Sequence, residues 1–519
     1  MNERLQRAIA YLKGQRIDGL DEKAAAAFIQ PPPVREIRPA INKDVDVLPK
    51  TIELPEYRLL EELVYSEDPK IILLSGKAGT GKTFAVQWLV NRFDGACAVV
   101  APTGLAALQA GGQTIHSLFC FPPRALQPED IKPPGGRSRE IFAHLKLLII
   151  DEISMVRADV MDAIGLFLER FGPKPGQPFG GVKLILVGDL LQLSPIVETQ
   201  EEKAWIRHRY RSEYFFSADC FRLHSWVPIE LNKVFRQTEQ EFIELLSKIR
   251  EGVDVDATLL DLNKSCVGKP KPAEVLEISL VPSRQQADTI NRSALASLAG
   301  PEIIFHAKVE GKMRQDRKLP SPNDLPLRAG AQVMFTKNDK GRRWVNGTMG
   351  KVVEVHSDHV MVCIAGQSKS LKVTEERWEQ FGYKWDGLQK KLVTEVTGCF
   401  IQIPLAHAWA ATIHKAQGQS FDNALVDLGH GAFANGQLYV ALSRCRTRGG
   451  LRLARAIRKD DVKVDPQILV LCKEIKKIQE GVDCDLLASE LKNKRLAKVD
   501  APVATKYDGM DCCVFPPRT

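Results

Sequence analysis

The 519-residue sequence contains no apolar run that approaches the roughly 18 residues needed for a membrane-spanning helix. Its start, MNERLQRAIAYLKGQ, includes an acidic residue and has no long apolar core, so we expect neither a secretory signal nor a clear transit peptide. We therefore expect no membrane segment. The expected location is the cytoplasm, in association with the nucleoid, for a prokaryotic source, and the nucleus or mitochondrion for a eukaryotic one.

The eleven cysteines include no C-x-x-C pair and no Cys/His cluster at the spacing of a zinc site. The adjacent pair, Cys512 and Cys513, stands in the C-terminal tail. This pattern excludes a zinc module with a recognisable motif and indicates reduced thiols inside a cell.

The net charge is small, with 72 Lys and Arg against 64 Asp and Glu, a formal charge of +8. Its distribution is uneven. Residues 308–395 contain 17 Lys and Arg against 11 Asp and Glu, which is +6 of the +8. A basic stretch of this kind is compatible with a polyanionic partner but does not by itself establish one.

Short apolar runs alternate with helical segments from Lys70 onwards, after a Pro-rich connector at residues 30–35. Four runs are short, β-branched and bounded by Gly or Asp, which predicts buried strands of a parallel sheet. They are KIILLSG, GACAVVAPTG, HLKLLIIDE and GVKLILVGD. A second alternating set begins near Pro228 and includes VLEISLVPS, QQADTINRSALASL, NALVDLG, QLYVALSR and GLRLAR. The sequence therefore predicts an α/β protein with two domains.

The basic stretch breaks this alternation. It contains GAQVMFTKND, GKVVEVHSDHVMVCIAG and SKSLKV, whose Gly and Asp turns predict a small β-rich insert. After Pro466 we predict a helix over ILVLCKEIKKIQEG and then a mobile polar tail. The predicted boundaries are 1–50 for an N-terminal appendage and linker, 51–228 for the first domain, 229–307 with 396–465 for the second, 308–395 for the insert, and 466–519 for the C-terminal helix and tail.

The segment from Gly76 to Thr83 fits G-x-x-x-x-G-K-[ST] and stands between an apolar run and a helical segment. In this motif the backbone N–H groups surround phosphate oxygens, the lysine neutralises their charge and the final hydroxyl ligates Mg²⁺. A chance glycine-rich turn is the alternative, which the strand and helix context disfavours. The predicted nucleotide-binding residues are Gly76, Ala78, Gly79, Thr80, Gly81, Lys82 and Thr83.

Asp151 and Glu152 end the apolar run LKLLII, at the edge of a parallel sheet where ligands bind. Asp151 is predicted to hold Mg²⁺, directly or through water, and Glu152 to orient and deprotonate the attacking water. Most such pairs are solvated charges at a strand end. Their position about 70 residues after the phosphate loop favours the catalytic interpretation.

Gln192 follows a further strand in GDLLQ and is suited to sense the γ-phosphate, an ordinary turn being the alternative. Arg236, in LNKVFRQ, can donate to the transferring phosphoryl group across a domain cleft, the alternative being a surface charge.

Several blocks stand together in one order along the chain. They are GKAGTGKT, APTGLAALQAGGQTIHSLF, LLIIDEISMV, LVGDLLQLSPI, LNKVFRQ with FIELLSKIREG, HAWAATIHKAQGQSFD and LYVALSRCRTRGGL. This pattern resembles superfamily 1B helicases and, within them, the petite integration frequency (Pif) family, which is related to RecD. The resemblance covers roughly residues 70–465. It implies two RecA-like parallel-sheet P-loop domains, a small barrel-like insert in the second and a short wedge insert in the first at about 121–137.

The resemblance also implies a function, that of an ATP-dependent DNA helicase. Such an enzyme translocates 5′ to 3′ on single-stranded DNA and unwinds duplex or structured DNA in replication, repair or recombination. ATP and Mg²⁺ are the expected cofactors, and single-stranded DNA and duplex junctions are the expected partners, with an RNA–DNA hybrid as a further partner. We expect a monomer in solution.

By the same resemblance Arg236 and Arg444 become arginine fingers, Gln192 the phosphate sensor and Gly418 part of the nucleotide site. The predicted catalytic set is Glu152, Lys82, Gln192, Arg236 and Arg444. Nine residues are predicted to contact phosphates and sugars of the strand rather than its bases. They are Pro102, Thr103, Gly104, Thr114, His116, Ser117, Thr412, His414 and Lys415. A structural histidine is the alternative for His116 and His414, and a solvated basic face is the alternative to a channel wall for the insert.

One departure from the family concerns recognition of the adenine base of ATP. The family has a glutamine upstream of the phosphate loop that reads adenine, and the corresponding ELPEYRLL, residues 53–60, has none. Selectivity for ATP over GTP therefore stays open. Tyr57 either stacks on the base or packs in the core.

Two other functions stay open as alternatives. One is an ATPase that remodels RNA or RNA–DNA hybrids on the same core, because phosphate contacts alone do not distinguish the two sugars. The other is a DNA-binding scaffold without catalysis, against which the intact Lys82, Thr83, Asp151, Glu152 and Arg444 argue.

The interval FPPRALQPEDIKPPGG, residues 121–136, is rich in proline and is therefore stiff. It cannot form a central strand or the interior of a helix. In the resembling family this interval holds the wedge at the fork, and a surface linker is the alternative.

Overall fold

The computed structural model describes residues 54–500 except 68–69, 94, 198, 238, 272–274, 312–318, 320, 368, 390 and 481. The predicted N-terminal appendage at 1–50 and the end of the tail at 501–519 lie outside the described residues. Within the described part, none of the helices combines the length and the apolarity that crossing a membrane requires.

The first domain is built on a sheet of six parallel strands in the order β3-β2-β4-β5-β1-β6. They are β1 (Ile71–Gly76), β2 (Cys97–Ala101), β3 (Gln113–Thr114), β4 (Leu147–Ile150), β5 (Lys183–Gly188) and β6 (Trp226–Leu231). Each of the four predicted runs forms one of these strands. Alternate residues serve two cores: Ile71 and Leu73 join one, Ile72 and Leu74 the other. Burial on both faces explains why the runs are continuously apolar.

Helices accompany these strands along the chain. They are α1 (Pro55–Tyr65), α2 (Lys82–Arg92), α3 (Gly104–Gln109), α4 (Ile115–Leu118), α5 (Gly136–His144), α6 (Ala158–Phe171), α7 (Gln200–Arg209) and α8 (Asp219–Arg222). The boundary predicted between residues 228 and 229 falls inside β6, which pairs with β1 along its whole length. The first sheet therefore continues to Leu231, beyond the predicted boundary.

The second domain has its own parallel sheet, in the order β18-β7-β19-β20. Its strands are β7 (Ile278–Val281), β18 (Ala410–Thr412), β19 (Ala424–Val426) and β20 (Leu451–Leu453). Its helices are α9 (Gln240–Glu251), α10 (Val255–Cys266), α11 (Arg284–Ala296) and α12 (Gln437–Leu442). A separate apolar core joins these elements. The predicted fold class, with two parallel-sheet domains, is confirmed.

The insert consists of antiparallel sheets. Its strands are β8 (Ile303–His306), β9 (Lys308–Gly311), β10 (Asp324–Leu327), β11 (Gln332–Phe335), β12 (Met349–Val355), β13 (Val360–Ile364), β14 (Ser370–Val373), β15 (Glu376–Asp386), β16 (Lys391–Gln402) and β17 (Leu405–His407). Five of them pair in the order β14-β13-β12-β11-β17, three as β15-β16-β9 and two as β10-β8. The β-rich region therefore runs from 303 to 407, wider than the predicted 308–395.

The hairpin of β15 and β16 crosses to the first domain. The hydroxyl of Tyr383 accepts from the backbone N–H of Val99 at 2.8 Å and lies 3.2 Å from its carbonyl. Trp385 stacks on His144, with ring centroids 3.7 Å apart. The insert is thus anchored on the edge of the first domain near β2.

The proline-rich interval at 121–136 lies on the surface of the first domain and is fastened to it. Leu126 and Ile131 are buried in the core, and the N–H of Leu126 donates to Oδ2 of Asp159 at 2.8 Å. Arg124 and Asp130 form a two-pronged ion pair across the loop. The interval therefore has a defined conformation, as its proline content predicts.

Two helices follow the second domain, α13 (Pro466–Gln479) and α14 (Cys484–Asp500). The first is the predicted helix, and its Ile468 and Leu471 return to the core of the first domain. The second is not predicted, because its apolar stripe is short. Ala488 on α14 is buried against α1 together with Leu487. Residues 484–500 therefore form a helix where the sequence predicts only a polar tail.

Candidate functional site

The phosphate loop, residues 76–83, connects β1 to α2 and folds around the ammonium group of Lys82. Nζ of Lys82 donates to the carbonyls of Gly76 and Lys77, both at 2.9 Å. Burial lowers the pKa of Lys82, although nearby carboxylates, Asp189 foremost, favour its charged form. The structure brings all the predicted phosphate-binding residues into one turn at the start of α2.

The segment after β6 lies directly on this loop. The N–H of Phe235 donates to the carbonyl of Gly79 at 2.8 Å. Gly79 has φ +80°, and a Cβ there would stand 2.4 Å from Cβ of Arg236, so only glycine fits. Nη2 of Arg236 donates to the carbonyl of Gly418 at 3.3 Å. Two residues that the sequence assigns to the nucleotide site, Arg236 and Gly418, are therefore brought together beside the loop.

Asp151 and Glu152 follow β4, as predicted. Oδ1 of Asp151 accepts from the N–H of Glu152 at 2.9 Å. Glu152 adopts the left-handed conformation, φ 53° and ψ 46°, which costs a residue with a side chain on the order of 1 kcal/mol. Burial, and next the charge of Asp151, raise the pKa of Glu152 to about 7. A carboxylate with this pKa is suited to accept a proton near neutral pH.

Gln417 joins the two domains at this carboxylate. Its Nε2 donates to Oε2 of Glu152 at 3.0 Å and to Oε1 of Gln192 at 3.1 Å. Nε2 of Gln192 donates in turn to Oδ2 of Asp189 at 3.2 Å. Sequence reasoning missed Gln417, although it stands in the block TIHKAQGQ beside the predicted Gly418. Gln417 gives the second domain a direct contact with the proposed base.

A buried ion pair also crosses between the domains. Arg250, on α9, donates to Oδ1 of Asp189 through Nε at 3.1 Å and Nη2 at 2.8 Å. The hydroxyl of Tyr439, on α12, donates to Oδ2 of Asp189 at 3.2 Å and accepts from the N–H of Ala78 at 3.1 Å. Burial alone raises the pKa of Asp189, but the charges of Arg250 and Lys82 hold it below its ordinary value. This network links the phosphate loop to two helices of the second domain, and no local pattern of residues predicts it.

Arg444 lies two residues beyond the end of α12 and is 1% exposed. It donates to the carbonyl of Val440 at 2.8 Å, to Oγ of Ser443 at 2.8 Å and to the carbonyl of Gln419 at 3.3 Å. Burial, and next the charge of Arg236, lower its pKa to about 9. In this arrangement the guanidinium is held by acceptors of its own domain.

The predicted Mg²⁺ ligands are Thr83, at the start of α2, and Asp151, whose carboxylate is buried beside Lys82. Burial raises the pKa of Asp151, and the charge of Lys82 opposes this shift. Across the described residues there is no group of three or more His, Cys, Asp or Glu that could hold a metal. One hydroxyl and one carboxylate suit Mg²⁺, which keeps several waters and takes further ligands from substrate phosphates. The residues present therefore fit this ion.

A cleft of about 1300 Å³ opens beside Glu152 and is lined by both domains and by the insert. Of the nine residues predicted to contact nucleic acid, four line it: Thr103, Thr412, His414 and Lys415. Pro102 and Gly104 flank Thr103 in the chain, whereas Thr114, His116 and Ser117 lie at β3 and α4, away from this lining. The structure thus gathers the first and last predicted contact segments in one cavity.

Five cationic side chains line the same cleft: Lys203, Arg207, Arg284, Arg292 and Lys415. No ion pair to them occurs within the described part of the chain, although four carboxylates, those of Glu152, Glu213, Asp288 and Asp324, also line the cleft. Sequence reasoning missed four of the five. Cations without an ion-pair partner in such a cleft suit the phosphates of a flexible polyanion.

A family model described as PIF1-like helicase matches residues 56–258. The ATP-dependent DNA helicase PIF1 of Xenopus laevis is 30% identical over 463 residues, which cover 86% of this chain and 68% of that relative. The ATP-dependent DNA helicase Pif1 of Campylobacter jejuni is 30% identical over 406 residues, covering 74% and 88%. This chain belongs to the PIF1-like helicases.

Solved Pif1 structures share the fold. The Bacteroides sp Pif1 in complex with ADP-AlF4 is 32% identical, with a TM-score of 0.74 over 82% of this chain and 97% of that one. The Bacteroides Pif1 bound to ssDNA has the same identity and coverage and a TM-score of 0.59. The family and helicase activity predicted from the sequence are confirmed.

In this PIF1-like chain Tyr57 packs in the core. It is 1% exposed, and its ring centroid lies 5.9 Å from that of Phe84 and 5.6 Å from that of Trp88. Its hydroxyl donates to the carbonyl of Gly81 at 3.4 Å. Tyr57 therefore supports the phosphate loop from behind and is not placed to stack on a base.

Proposed function

We propose that this helicase uses ATP to move 5′ to 3′ along single-stranded DNA and to separate the duplex ahead of it. The continuity of the cleft carries the proposal, because Thr103 and Thr412 line the same cavity as Glu152 and Gln417. Binding or hydrolysis of ATP can therefore shift the residues that contact the strand, because they adjoin the residues that contact the nucleotide. The relatives solved with ADP-AlF4 and with ssDNA support the binding of a nucleotide and of single-stranded DNA. Membership of the family supports the 5′ to 3′ direction of movement.

In the nucleotide step, the N–H groups of the phosphate loop and Lys82 bind the β and γ phosphates. Glu152 orients the attacking water and accepts its proton. Gln192 contacts the γ-phosphate and senses its presence. Thr83 and Asp151 would hold Mg²⁺, which neutralises the charge that develops on the phosphates. Arg236, beside the loop, supplies further donors to the transferring group.

Coupling to the strand follows from the contacts of Gln417. Its amide bonds Glu152 and Gln192 of the first domain, while Thr412, five residues earlier, lines the DNA cleft. Binding and loss of the γ-phosphate change what Glu152 and Gln192 contact, and hence where the segment 412–418 rests. Alternating positions of this segment would grip and release the strand, which moves the motor along it.

The test of this function is an unwinding assay on partial duplexes with a single-stranded overhang at either the 5′ or the 3′ end. We expect ATP-dependent separation of the 5′-overhang substrate, and much less of the 3′-overhang substrate. Lys82→Ala is the matched control and is expected to separate neither. Preference for the 3′ overhang would overturn the polarity. Greater stimulation of the ATPase by RNA than by matched DNA would favour remodelling of RNA or RNA–DNA hybrids instead.

We also propose that the fastened interval at 121–136 is the wedge that splits base pairs. Its support is rigidity, because Leu126 and Ile131 anchor it while Pro123, Pro128 and Pro133 are exposed along it. A rigid segment at the fork can separate base pairs as one strand is pulled past it, whereas a flexible linker would bend away.

Rigidity can be removed without losing the anchors. A variant with Pro123, Pro128 and Pro133 changed to glycine keeps Leu126 and Ile131 in the core. We expect its DNA-stimulated ATPase to stay near the wild-type rate while strand separation is largely lost. The same three changes to alanine, which loosen the chain less, should have a smaller effect. Undiminished separation by the glycine variant would make the interval a surface linker.

A further inference from the structure

Two apolar side chains face the DNA cleft from opposite domains without being covered. Phe433, in the segment between β19 and α12, is 63% exposed, and Ile196, after β5, is 51% exposed. Both line the cleft that contains the five cations. An exposed phenyl ring in a polar cleft lined by cations cannot bind a phosphate. Its position therefore indicates contact with an apolar or aromatic part of a ligand.

The backbone at Phe433 is held by two buried side chains. The N–H of Phe433 donates to Oε1 of Gln437 at 2.9 Å, and the N–H of the preceding Ala432 donates to Oδ1 of Asp461 at 3.1 Å. Both acceptors are buried, Gln437 at 0% and Asp461 at 1% exposure. The ring is therefore presented by an ordered loop, and a ligand that binds it pays little for ordering the chain.

His414 stands beside the ring. The two rings are nearly parallel, at 14°, with centroids 6.2 Å apart, near the upper end of aromatic pair distances. This contact is loose enough to leave most of Phe433 uncovered. Because His414 belongs to a segment assigned to the strand, the flat face of Phe433 lies where the strand is proposed to run.

We propose that Phe433 is a stacking platform for a nucleobase of the bound single strand. The proposal rests on the proposed function, in which the strand occupies this cleft. Lys415, Arg284 and Arg292 would hold phosphates on the same side, while Phe433 takes the flat face of a base. Stacking is tolerant of sequence because every base has such a face, which suits a motor that must pass all of them. The strand would then be held by its bases as well as by its backbone.

Binding of oligonucleotides with and without bases tests this inference. We expect Phe433→Ala to weaken binding of a single-stranded oligothymidylate by about tenfold, within the range known for stacking of one base. Binding of a fully abasic strand of the same length should not change. Phe433→Tyr should bind both strands like the wild type, because it keeps the ring.

Salt dependence supplies a second readout. The slope of log affinity against log salt counts displaced counter-ions, so Phe433→Ala should keep the wild-type slope, whereas Arg284→Ala should reduce it. Leu223→Ala is the matched control for an exposed apolar residue, since Leu223 is 79% exposed and lines a different cavity. It should change neither affinity nor slope.

The outcomes separate the stacking role from the motor. Equal loss of affinity for both strands, or no loss for either, would overturn the stacking platform. Wild-type ATPase that single-stranded DNA does not stimulate would overturn the proposed function itself. Normal stimulation of the ATPase by DNA, together with unchanged DNA affinity of Phe433→Ala, would overturn the stacking platform but not the proposed function. The melting temperature of each variant shows that the fold is retained.

Discussion

Replacing Glu152 by glutamine is expected to lower the DNA-stimulated rate of ATP hydrolysis by about 10²- to 10⁴-fold, the contribution typical of a positioned general base. The amide keeps the size of the side chain but cannot accept the proton of the attacking water. Nucleotide binding should survive, because the phosphate loop at 76–83 holds the phosphates without this side chain. Steady-state hydrolysis and equilibrium binding of a non-hydrolysable ATP analogue measure the two effects separately.

Lys82→Ala is the matched control for this variant. It removes the cation that neutralises the phosphates and should lower nucleotide binding and hydrolysis together, while single-stranded DNA binding in the cleft remains. Hydrolysis at the wild-type rate by Glu152→Gln would show that another residue is the base.

The pH dependence gives a signature specific to Glu152. Burial and the charge of Asp151 raise its pKa to about 7, so the ionised base becomes scarcer as the pH falls below this value. The wild-type rate should therefore rise with pH through about 7, and the residual rate of Glu152→Gln should lack this step. The sign for stability is the reverse. A raised carboxyl pKa favours the protonated form in the fold, a contribution present at low pH and lost as the pH rises through about 7.

Features that neighbouring residues determine could be predicted from the sequence. The run from Lys70 to Thr83 specifies strand, turn and helix through neighbouring residues, and Asp151 and Glu152 are placed by the strand that they end. Each of these depends on hydrophobic continuity and glycine spacing, which a single segment contains. The paired parallel sheets follow in the same way from alternating runs.

Features that depend on contacts between distant segments could not be predicted. The strand β6 reads as the beginning of the second set, and only its pairing with β1 assigns it to the first sheet. Gln417 gains its place from Glu152, which is 265 positions earlier. The same holds for Asp189 and Arg250, since a lone Asp or Arg is most often a surface charge.

Arg250 and Asp189 form a buried ion pair between the two domains. Arg250→Met should lower the free energy of unfolding by about 3–5 kcal/mol, because it leaves the carboxylate of Asp189 buried without its hydrogen-bonded ion-pair partner. The guanidinium is 4% exposed and the carboxylate 0%, so water cannot replace the lost contact. Tyr439, Gln192 and the N–H of Leu191 would still donate to Asp189, and the charge of Lys82 would still favour its ionised form, but these contacts do not replace the two hydrogen bonds and the adjacent charge of the guanidinium.

Lys248→Met is the control on the same helix, because Lys248 pairs with Asp254 at 2.8 Å while both side chains are half exposed. It should leave the thermal midpoint nearly unchanged, whereas equal losses in both variants would contradict the assignment. Asp189→Asn combined with Arg250→Met removes both charges and should recover part of the stability. Its ATPase should nevertheless stay impaired, because Tyr439 bridges Asp189 to the N–H of Ala78, and the second domain then holds the phosphate loop less firmly. Recovery of both stability and hydrolysis would make the pair a support of the fold alone.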